Sequence, residues 1–599
     1  MPAETIPALF ARQARSLGQR PLFLVKRGGL YRPITWQEAA QEVAALSAFL
    51  LRQDVHPGDR VLILSENRPE WGIADLAIQS VGAWSVPIYP SLTAEDILGI
   101  CHNCQPVACV ASTADQARKL LEVGKRVPSI RTILVIDAAT PCDAPLATWS
   151  EAMVQGRALG SKREDLLEDR TRRIQPADTA TLIYTSGTTG EPKGVMLSHQ
   201  NFLSNVEACL NVIPITGTDV HLSFLPLSHV FERMAGWYLM LSVGATVAYA
   251  ENMETIPQNM LEVRPTVMLG VPRFFEKLYA RIKEGLRQMP PVKRRLAEWA
   301  ISVGRAAASH RWSGRGVPVQ LSLQQRIADQ LVCKTLRAKL GGRLRFFVSG
   351  SAPLAKEIGE FFYSVGVIIL EGYGLTETSP VIAVNRLPIP IFGSVGHVLP
   401  GVEVQIAEDG EICTRGPHVM QGYYKKPEAT SAVLIDGWFH TGDIGHLDAE
   451  GSLFITDRKK DLIKTAGGKF VAPQKLENLF VTDSYISQAF VYGDRRPYCV
   501  ALIVPNVEHL RRYAQEQEIA GRSLGELVRH PQVQAMCWSR IQAKQQGLAS
   551  FEQVKKIALL DQEFSQMAGE LTPTLKAKRS VIAQRYQSVL QELYETPAP

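Results

Sequence analysis

The 599-residue chain has little excess charge of either sign. Its 65 Lys and Arg stand against 59 Asp and Glu, a net +6. A balance this close, with a pI near 8.7, makes no electrostatic case for nucleic acid as a partner. Cysteine is sparse as well. The nine Cys include one close pair, Cys101-His-Asn-Cys104, and no second pair joins it to complete a zinc or redox motif. Free thiols in a reducing, cytoplasmic compartment are expected. The twelve His show no metal-ligand spacing. Long apolar runs are also missing. One strongly apolar, uncharged run, Met234 to Ala250, has seventeen residues and is interrupted by Gly236, Ser242, Gly244 and Thr246. It is expected to form a buried helix to about Val243 and then a buried strand, not a membrane span. The first residues, Met1-Pro-Ala-Glu-Thr-Ile-Pro, hold an acid and two prolines and do not read as a signal peptide.

What is present is ordinary globular composition, 46% apolar and 21% charged, in a chain too long for one core. Strand and helix alternate through the first half. Thr35 and Glu38 make a capping box into a helix over 37–52. Arg60–Ser65, Ala83–Tyr89 and Val107–Val110 read as buried strands, with helices beginning near Pro69 and Ala94 between them. Ala180–Tyr184 is another strand, and Leu222–Leu227, Thr266–Leu269, Leu344–Ser349 and Val367–Leu370 continue the set. This is the pattern of an α/β fold with largely parallel sheets. Beyond 393 the elements become short and β-rich, with a hairpin across Asp409-Gly410. The charged bridge Asp457-Arg-Lys-Lys-Asp461 looks like a boundary, and an α+β unit with a hairpin near 488–504 follows it.

One stretch stands out: Tyr184-Thr-Ser-Gly-Thr-Thr-Gly-Glu-Pro-Lys-Gly-Val-Met-Leu-Ser-His199. It follows a strand and precedes a helix expected over Asn201–Val212. Its glycines permit turns that aim successive N–H groups at an anion, its hydroxyls add donors, and Lys193 adds positive charge. A loop that grips nucleotide phosphates fits. It is not the common P-loop, because Lys193 follows Pro192 and no Ser or Thr comes after it. A kinase or GTPase is excluded on spacing.

This stretch resembles the signature of the adenylate-forming enzymes: acyl-CoA synthetases, aryl-CoA ligases, luciferases and peptide-synthetase adenylation domains. The resemblance implies that Thr185, Ser186, Gly187, Thr188, Thr189, Gly190 and Lys193 hold the phosphates of ATP. Further stretches match the same family. In Leu225-Pro-Leu-Ser-His-Val-Phe-Glu-Arg233, the resemblance makes His229 a residue that lines and gates the acid pocket without transferring a proton. Gly350, Ser351 and Ala352 resemble the loop on the adenine side. In Gly372-Tyr-Gly-Leu-Thr-Glu-Thr378, Gly372, Tyr373 and Gly374 present an aromatic face to the purine. Thr376 is expected to donate to the α-phosphate, and Glu377 to ligate Mg2+. In Gly437-Trp-Phe-His-Thr-Gly-Asp443, Asp443 is expected to accept from both ribose hydroxyls. Arg458 contacts the ribose by resemblance, Lys460 is the hinge, and Gly467 and Gly468 form the CoA-side loop. Lys576, in Leu571-Thr-Pro-Thr-Leu-Lys576, matches the lysine of the adenylation step, with Lys578 a weaker candidate. Taken one at a time, a strand-end His, a turn Asp or a basic run has an ordinary structural reading. Their joint match is what carries the assignment.

The resemblance implies a large N-terminal domain over 1–456 with mixed sheets and a distorted β subdomain. A hinge over 457–461 and a small mobile α+β C-terminal domain over 462–599 complete it. The implied reaction converts a carboxylate and ATP to an acyl-adenylate and pyrophosphate, then passes the acyl group to CoA. The forms Pro-Leu-Ser-His-Val-Phe-Glu-Arg233, Asp-Arg-Lys-Lys-Asp461 and Thr-Pro-Thr-Leu-Lys576 look like long-chain fatty acyl-CoA synthetases. Alternatives are a ligase that loads a carrier-protein thiol, a medium-chain or aryl acid ligase, and a non-catalytic nucleotide sensor. Across 281–326 ten Lys and Arg face two acids. Leu296, Trp299, Ala300, Val303 and Ala307 share one helical face there. Two readings stand side by side: peripheral contact of 285–330 with a membrane surface, or a solvated helix packed by its apolar stripe.

Overall fold

The computed structural model describes residues 4–137, 145–185, 192–519, 523–572 and 576–595, with the side chains of 159–166 outside the described set. Two large sheets dominate. One has eight strands, in the order Gly422–Tyr423, Lys193–Ser198, Thr179–Thr185, Trp84–Ile88, Arg60–Leu64, Ala108–Ala111, Thr132–Val135 and Leu146–Thr148. Its interior is parallel, and only the first two pairings are antiparallel. The other has nine strands and a parallel centre made of Ile369–Gly374, Phe346–Ser349, Val267–Gly270, Val220–Ser223, Thr246–Tyr249 and Pro21–Arg27. Parallel strands buried on both faces read as unbroken apolar runs, which is why these segments were legible from composition. The largest fully buried side chains include Trp36, Trp71, Trp237 and Phe202, all in the main apolar core.

A polar knot crosses that core. Arg233 pairs with Asp75 with neither side chain exposed. Arg233 also donates to Thr181 Oγ1 at 2.7 Å and to the Tyr238 hydroxyl at 2.9 Å, and Tyr238 donates to Asp75 Oδ2 at 2.7 Å. Four separate elements are tied by it: the helix Pro69–Ser80, the π-helix Glu232–Tyr238, and the strands Trp84–Ile88 (through Ser85) and Thr179–Thr185. The uncharged run after it forms the π-helical turn, the helix Leu239–Val243 and the strand Thr246–Tyr249. Among the described residues, no helix is long and apolar enough to cross a membrane.

Two local expectations change. The residues after the expected phosphate loop form a strand, so the loop connects two antiparallel strands, Thr179–Thr185 and Lys193–Ser198. Val195-Met-Leu197 supplies the apolar residues for it. The next helix therefore begins at His199, with Ser198 and Asn201 as its capping box. The expected strand Leu222–Leu227 is Val220–Ser223. Beyond it Asn67 takes over the pairing, accepting from Leu227 N and donating to Leu225 O. The face of Leu296, Trp299, Ala300, Val303 and Ala307 lies in the helix Pro291–Trp312, where Ala300, Val303 and Ala307 are buried. This helix presses on Lys356–Ser364 so closely that a Cβ on Gly304 would sit 1.9 Å from Ser364 O. Three of the five stripe residues are thus packed inward, while Leu296 is exposed and Trp299 half-buried.

An antiparallel sheet of Glu403–Ile406, Glu411–Arg415, Trp438–Leu447, Leu434–Ile435 and Leu453–Arg458 follows. The smaller C-terminal domain is built on Ile486–Tyr492, Cys499–Pro505 and Val554–Leu559. Its own apolar cores include Phe480, Ile503 and Ile541 in one and Phe490, Leu502 and Ile582 in another.

Candidate active site

The site begins where Ile369–Gly374 leaves its sheet. Gly374 has no room for a side chain, since a Cβ there would meet Pro380 O at 1.6 Å. The chain then makes a 3-10 turn over Thr376–Thr378. Tyr373 donates its hydroxyl to Asp443 Oδ2 at 2.7 Å. Asp443 stands opposite Arg458 in the register of Trp438–Leu447 and Leu453–Arg458. Arg458 Nε reaches Asp443 Oδ1 at 3.3 Å. Burial pushes the Asp443 carboxyl up, and Arg458 and Tyr373 pull it back. A carboxylate held by a phenol and a guanidinium is a ready acceptor for a diol.

Glu377 is fixed at both ends. Its carbonyl accepts from Met420 N at 2.8 Å, and its Oε1 accepts from the Tyr423 hydroxyl at 2.9 Å. Tyr423 pairs with Val195 across the sheet edge, and the Lys193 ammonium stands 4.9 Å over the Tyr423 ring. Tyr423 thus joins Glu377 to the base of the phosphate hairpin, where Thr185 pairs with Lys193. Ser186, Gly187, Thr188, Thr189 and Gly190 lie outside the described residues. Tyr423 was not picked out in the sequence, where its only signal is an aromatic doublet between Gly422 and Lys425.

The loop Gly350–Leu354 runs beside this cluster. Gly350 N donates to Gly270 O at 3.1 Å, and Ser351 adopts a left-handed φ of 72°. Glu371 secures the loop by accepting from Leu354 N at 2.7 Å. Burial lifts the Glu371 carboxyl to about 8. Ala352 is half-buried in the same loop. His229 lies at the start of the segment leading to the π-helix. Its Nδ1 accepts from Phe231 N at 3.2 Å, which leaves the proton on Nε2. Burial and the Lys576 charge hold the imidazole down near 3, so it is neutral.

Lys576 enters from the smaller domain. Leu571 and Ala577 form a bridge, Thr572 N donates to Lys576 O at 2.8 Å, and Lys576 N donates to Thr572 Oγ1 at 3.0 Å. Residues 573–575 lie outside the described set. Burial lowers the Lys576 ammonium to about 8, and Arg458, Asp443, Glu377 and Lys460 all act on its charge. The structure therefore brings Lys576 to Asp443, Glu377 and Arg458. Lys578 is exposed, as are Lys460 and the turn holding Gly467 and Gly468, where Gly468 takes φ +74°. The hydrogen bonds of that turn are local or run to Arg496 O, and none among the described residues joins it to the cluster.

The smaller domain is held in this position by side chains. Glu284 of the helix Pro272–Arg287 meets Arg512 at 2.6 Å and His509 at 3.6 Å. Arg273 donates to Ser487 Oγ at 3.0 Å, and Asn478 donates to Pro353 O at 3.3 Å. At the expected hinge the strand Leu453–Arg458 runs on to Arg458, and Asp457 accepts from Gln474 N at 3.1 Å.

The AMP-binding enzyme family matches residues 10–424, and the C-terminal domain of such enzymes matches residues 460–598. The chain belongs to the AMP-binding enzyme family. Among curated relatives of this AMP-binding enzyme is long-chain-fatty-acid–CoA ligase FadD15 of Mycobacterium tuberculosis. It is 36% identical over 573 residues, covering 94% of this chain and 93% of that protein. The peroxisomal long chain acyl-CoA synthetase 6 of Arabidopsis thaliana is 33% identical over 590 residues, covering 95% and 82%. Among solved structures, the adenylation domain of a carboxylate reductase from Mycobacterium chelonae aligns at a TM-score of 0.76. That pair shares 24% identity over 100% of this chain and 92% of that one. ATP-bound MatB from Rhodopseudomonas palustris aligns at 0.69, with 22% identity over 98% and 100%. These two likenesses establish the fold.

Proposed function

We propose that this AMP-binding enzyme activates a long-chain fatty acid with ATP, forming an acyl-adenylate and pyrophosphate, and then transfers the acyl group to CoA with release of AMP. The observation that carries the reading is that Lys576 of the smaller domain is grouped with Asp443, Arg458 and Glu377. The names of the curated relatives support the substrate class. A carboxylate attacking an α-phosphate brings two anions together, so positioning and charge neutralisation do the work. Lys193 and the hairpin loop hold the outer phosphates. Thr376 donates to the α-phosphate, and the Lys576 ammonium meets the charge that develops between it and the acyl oxygen. Asp443 and Arg458 take the ribose, Tyr373 the purine, with Gly350, Ser351 and Ala352 closing the adenine side. His229, neutral and with its proton on Nε2, lines the acid end. Tyr423 occupies one Glu377 oxygen, and the second suits a Mg2+ that prefers a single carboxylate plus phosphates. When bound, that ion supplies neutralising charge to the phosphates.

The domain division 1–456, 457–461 and 462–599 belongs to the same reading. So does a hinge at Lys460, about which the smaller domain swings to exchange Lys576 for Gly467 and Gly468 on the CoA side. Peripheral contact of 285–330 with a membrane, from the cytoplasmic side, completes it. The test is AMP formation from ATP across a panel of acids, with and without CoA. CoA-dependent turnover that peaks near sixteen- or eighteen-carbon chains is expected (roughly the length of common membrane acyl chains). Acyl-adenylate that accumulates without thioester would move the protein to carrier loading. No turnover with any fatty acid would defeat the substrate assignment.

A further inference from the structure

The helix Val319–Ala328 continues through the π-helical turn Asp329–Cys333 into Lys334–Ala338. Val319, Leu323, Ile327 and Leu331 follow one another along it at four-residue spacing. They are 87, 60, 43 and 57% exposed. On its other side the helix packs inward: Ala328 is buried with Ala300 and Val303 of Pro291–Trp312, and Leu321 and Val332 are partly buried against them. Four-residue steps drift slowly around a helix of 3.6 residues per turn, so these side chains form one slanting ridge in water.

Charge distinguishes this ridge from scattered surface apolar residues. Residues 313–340 hold five Lys and Arg against one acid, Asp329. Asp329 is engaged by both terminal nitrogens of Arg337, at 2.7 and 2.9 Å. Arg315, Arg326, Lys334 and Lys339 remain exposed, with no carboxylate among the described residues paired to them. We infer that this ridge docks on an anionic bilayer surface, with Val319, Leu323, Ile327 and Leu331 immersed among acyl chains and the four cations at headgroup level. A convex row of apolar side chains edged by basic stems matches an interface into which it can sink. A second copy of the chain fits less well, because a symmetric contact would set Arg326 and Lys334 against their own like charges. The inference deepens the membrane part of the proposed reading and moves the contact from the helix Pro291–Trp312, where Ala300, Val303 and Ala307 of the stripe are buried, to the helix after it. Because Pro291–Trp312 packs on Lys356–Ser364, the ridge would be rigidly linked to the catalytic domain.

The test is vesicle flotation with phosphatidylcholine alone and with added phosphatidylglycerol, at low and high salt. The protein should float with phosphatidylglycerol vesicles only, and less so in high salt. Leu323→Asp with Ile327→Asp removes two apolar anchors and should weaken binding by about tenfold or more. Arg326→Glu with Lys334→Glu should do the same, while Leu30→Asp, at another exposed apolar residue, should not. All these positions are exposed, and unchanged thermal midpoints and AMP formation from a soluble acid would exclude misfolding. Failure to float, or equal flotation by the double variants, would overturn the inference. Light scattering that shows a dimer lost in Leu323→Asp/Ile327→Asp, with flotation unchanged, would assign the ridge to self-association instead. Flotation is read without turnover, so its failure is separate from failure of the ligase reading.

Discussion

Replacing Lys576 with Met should make the free protein more stable and remove the first half-reaction. Burial lowers the ammonium to about 8, against an ordinary 10.5. At about 1.4 kcal/mol per pH unit, that gap corresponds to roughly 3 kcal/mol of penalty for the charged form near neutrality. Lys576 is only partly covered as a residue, so solvent reduces the figure, and about 1–3 kcal/mol is the expected gain for Met. The pH dependence has a definite sign. Between about 8 and 10.5 the unfolded chain holds the proton and the folded chain releases it. Stability of the native protein should therefore rise with pH across that window relative to Lys576→Met, and the two should converge at its upper end. Catalysis runs the other way. The free enzyme needs the charged ammonium, so kcat/KM for ATP should fall as pH rises through about 8. Thermal unfolding at several pH values, pyrophosphate exchange, and thioester formation from supplied acyl-adenylate make the assay. The Met variant should lose exchange and keep thioester formation. A variant whose midpoint is unchanged or lower at neutral pH, or a flat kcat/KM profile in the native enzyme, would refute the electrostatic reasoning.

Other outcomes follow from single contacts. Asp443→Asn keeps the shape but loses charge-assisted bonds worth about 1.5–3 kcal/mol, so the KM for ATP should rise roughly 10- to 100-fold with little change in thermal midpoint. Glu284→Ala frees Arg512 and His509 of the smaller domain. Pyrophosphate exchange should slow several-fold while thioester formation from supplied adenylate holds or quickens, which single-turnover measurements of each half-reaction would separate. Asp75→Asn leaves the Arg233 charge buried without its partner and should destabilise the N-terminal domain by about 3–5 kcal/mol, read by denaturant unfolding.

Much of this protein was decided locally and could be read in the chain. The capping box of Thr35 and Glu38, the hairpin across Asp409-Gly410 and the apolar parallel strands all depend on neighbours within a few residues. The adenylate-forming family was likewise legible, because its motifs are contiguous stretches whose glycines, hydroxyls and lysines must lie in sequence to line one loop. What the sequence left open depends on residues that meet only after folding. Tyr373 and Asp443 are 70 positions apart, and Tyr423 and Glu377 are 46 apart. Neither separation leaves a periodic trace, so Tyr423 was missed although it joins two halves of the site. The strand Lys193–Ser198 was hidden inside the motif that drew attention to its loop, since only pairing with Thr179–Thr185 makes it a strand. The two helices after Met289 show the same division. Helical spacing revealed an apolar face on Pro291–Trp312. Only the tertiary structure shows that Ala300, Val303 and Ala307 of this face are covered and that the next helix carries the barer one, because exposure is a property of what packs against a side chain, not of the side chain.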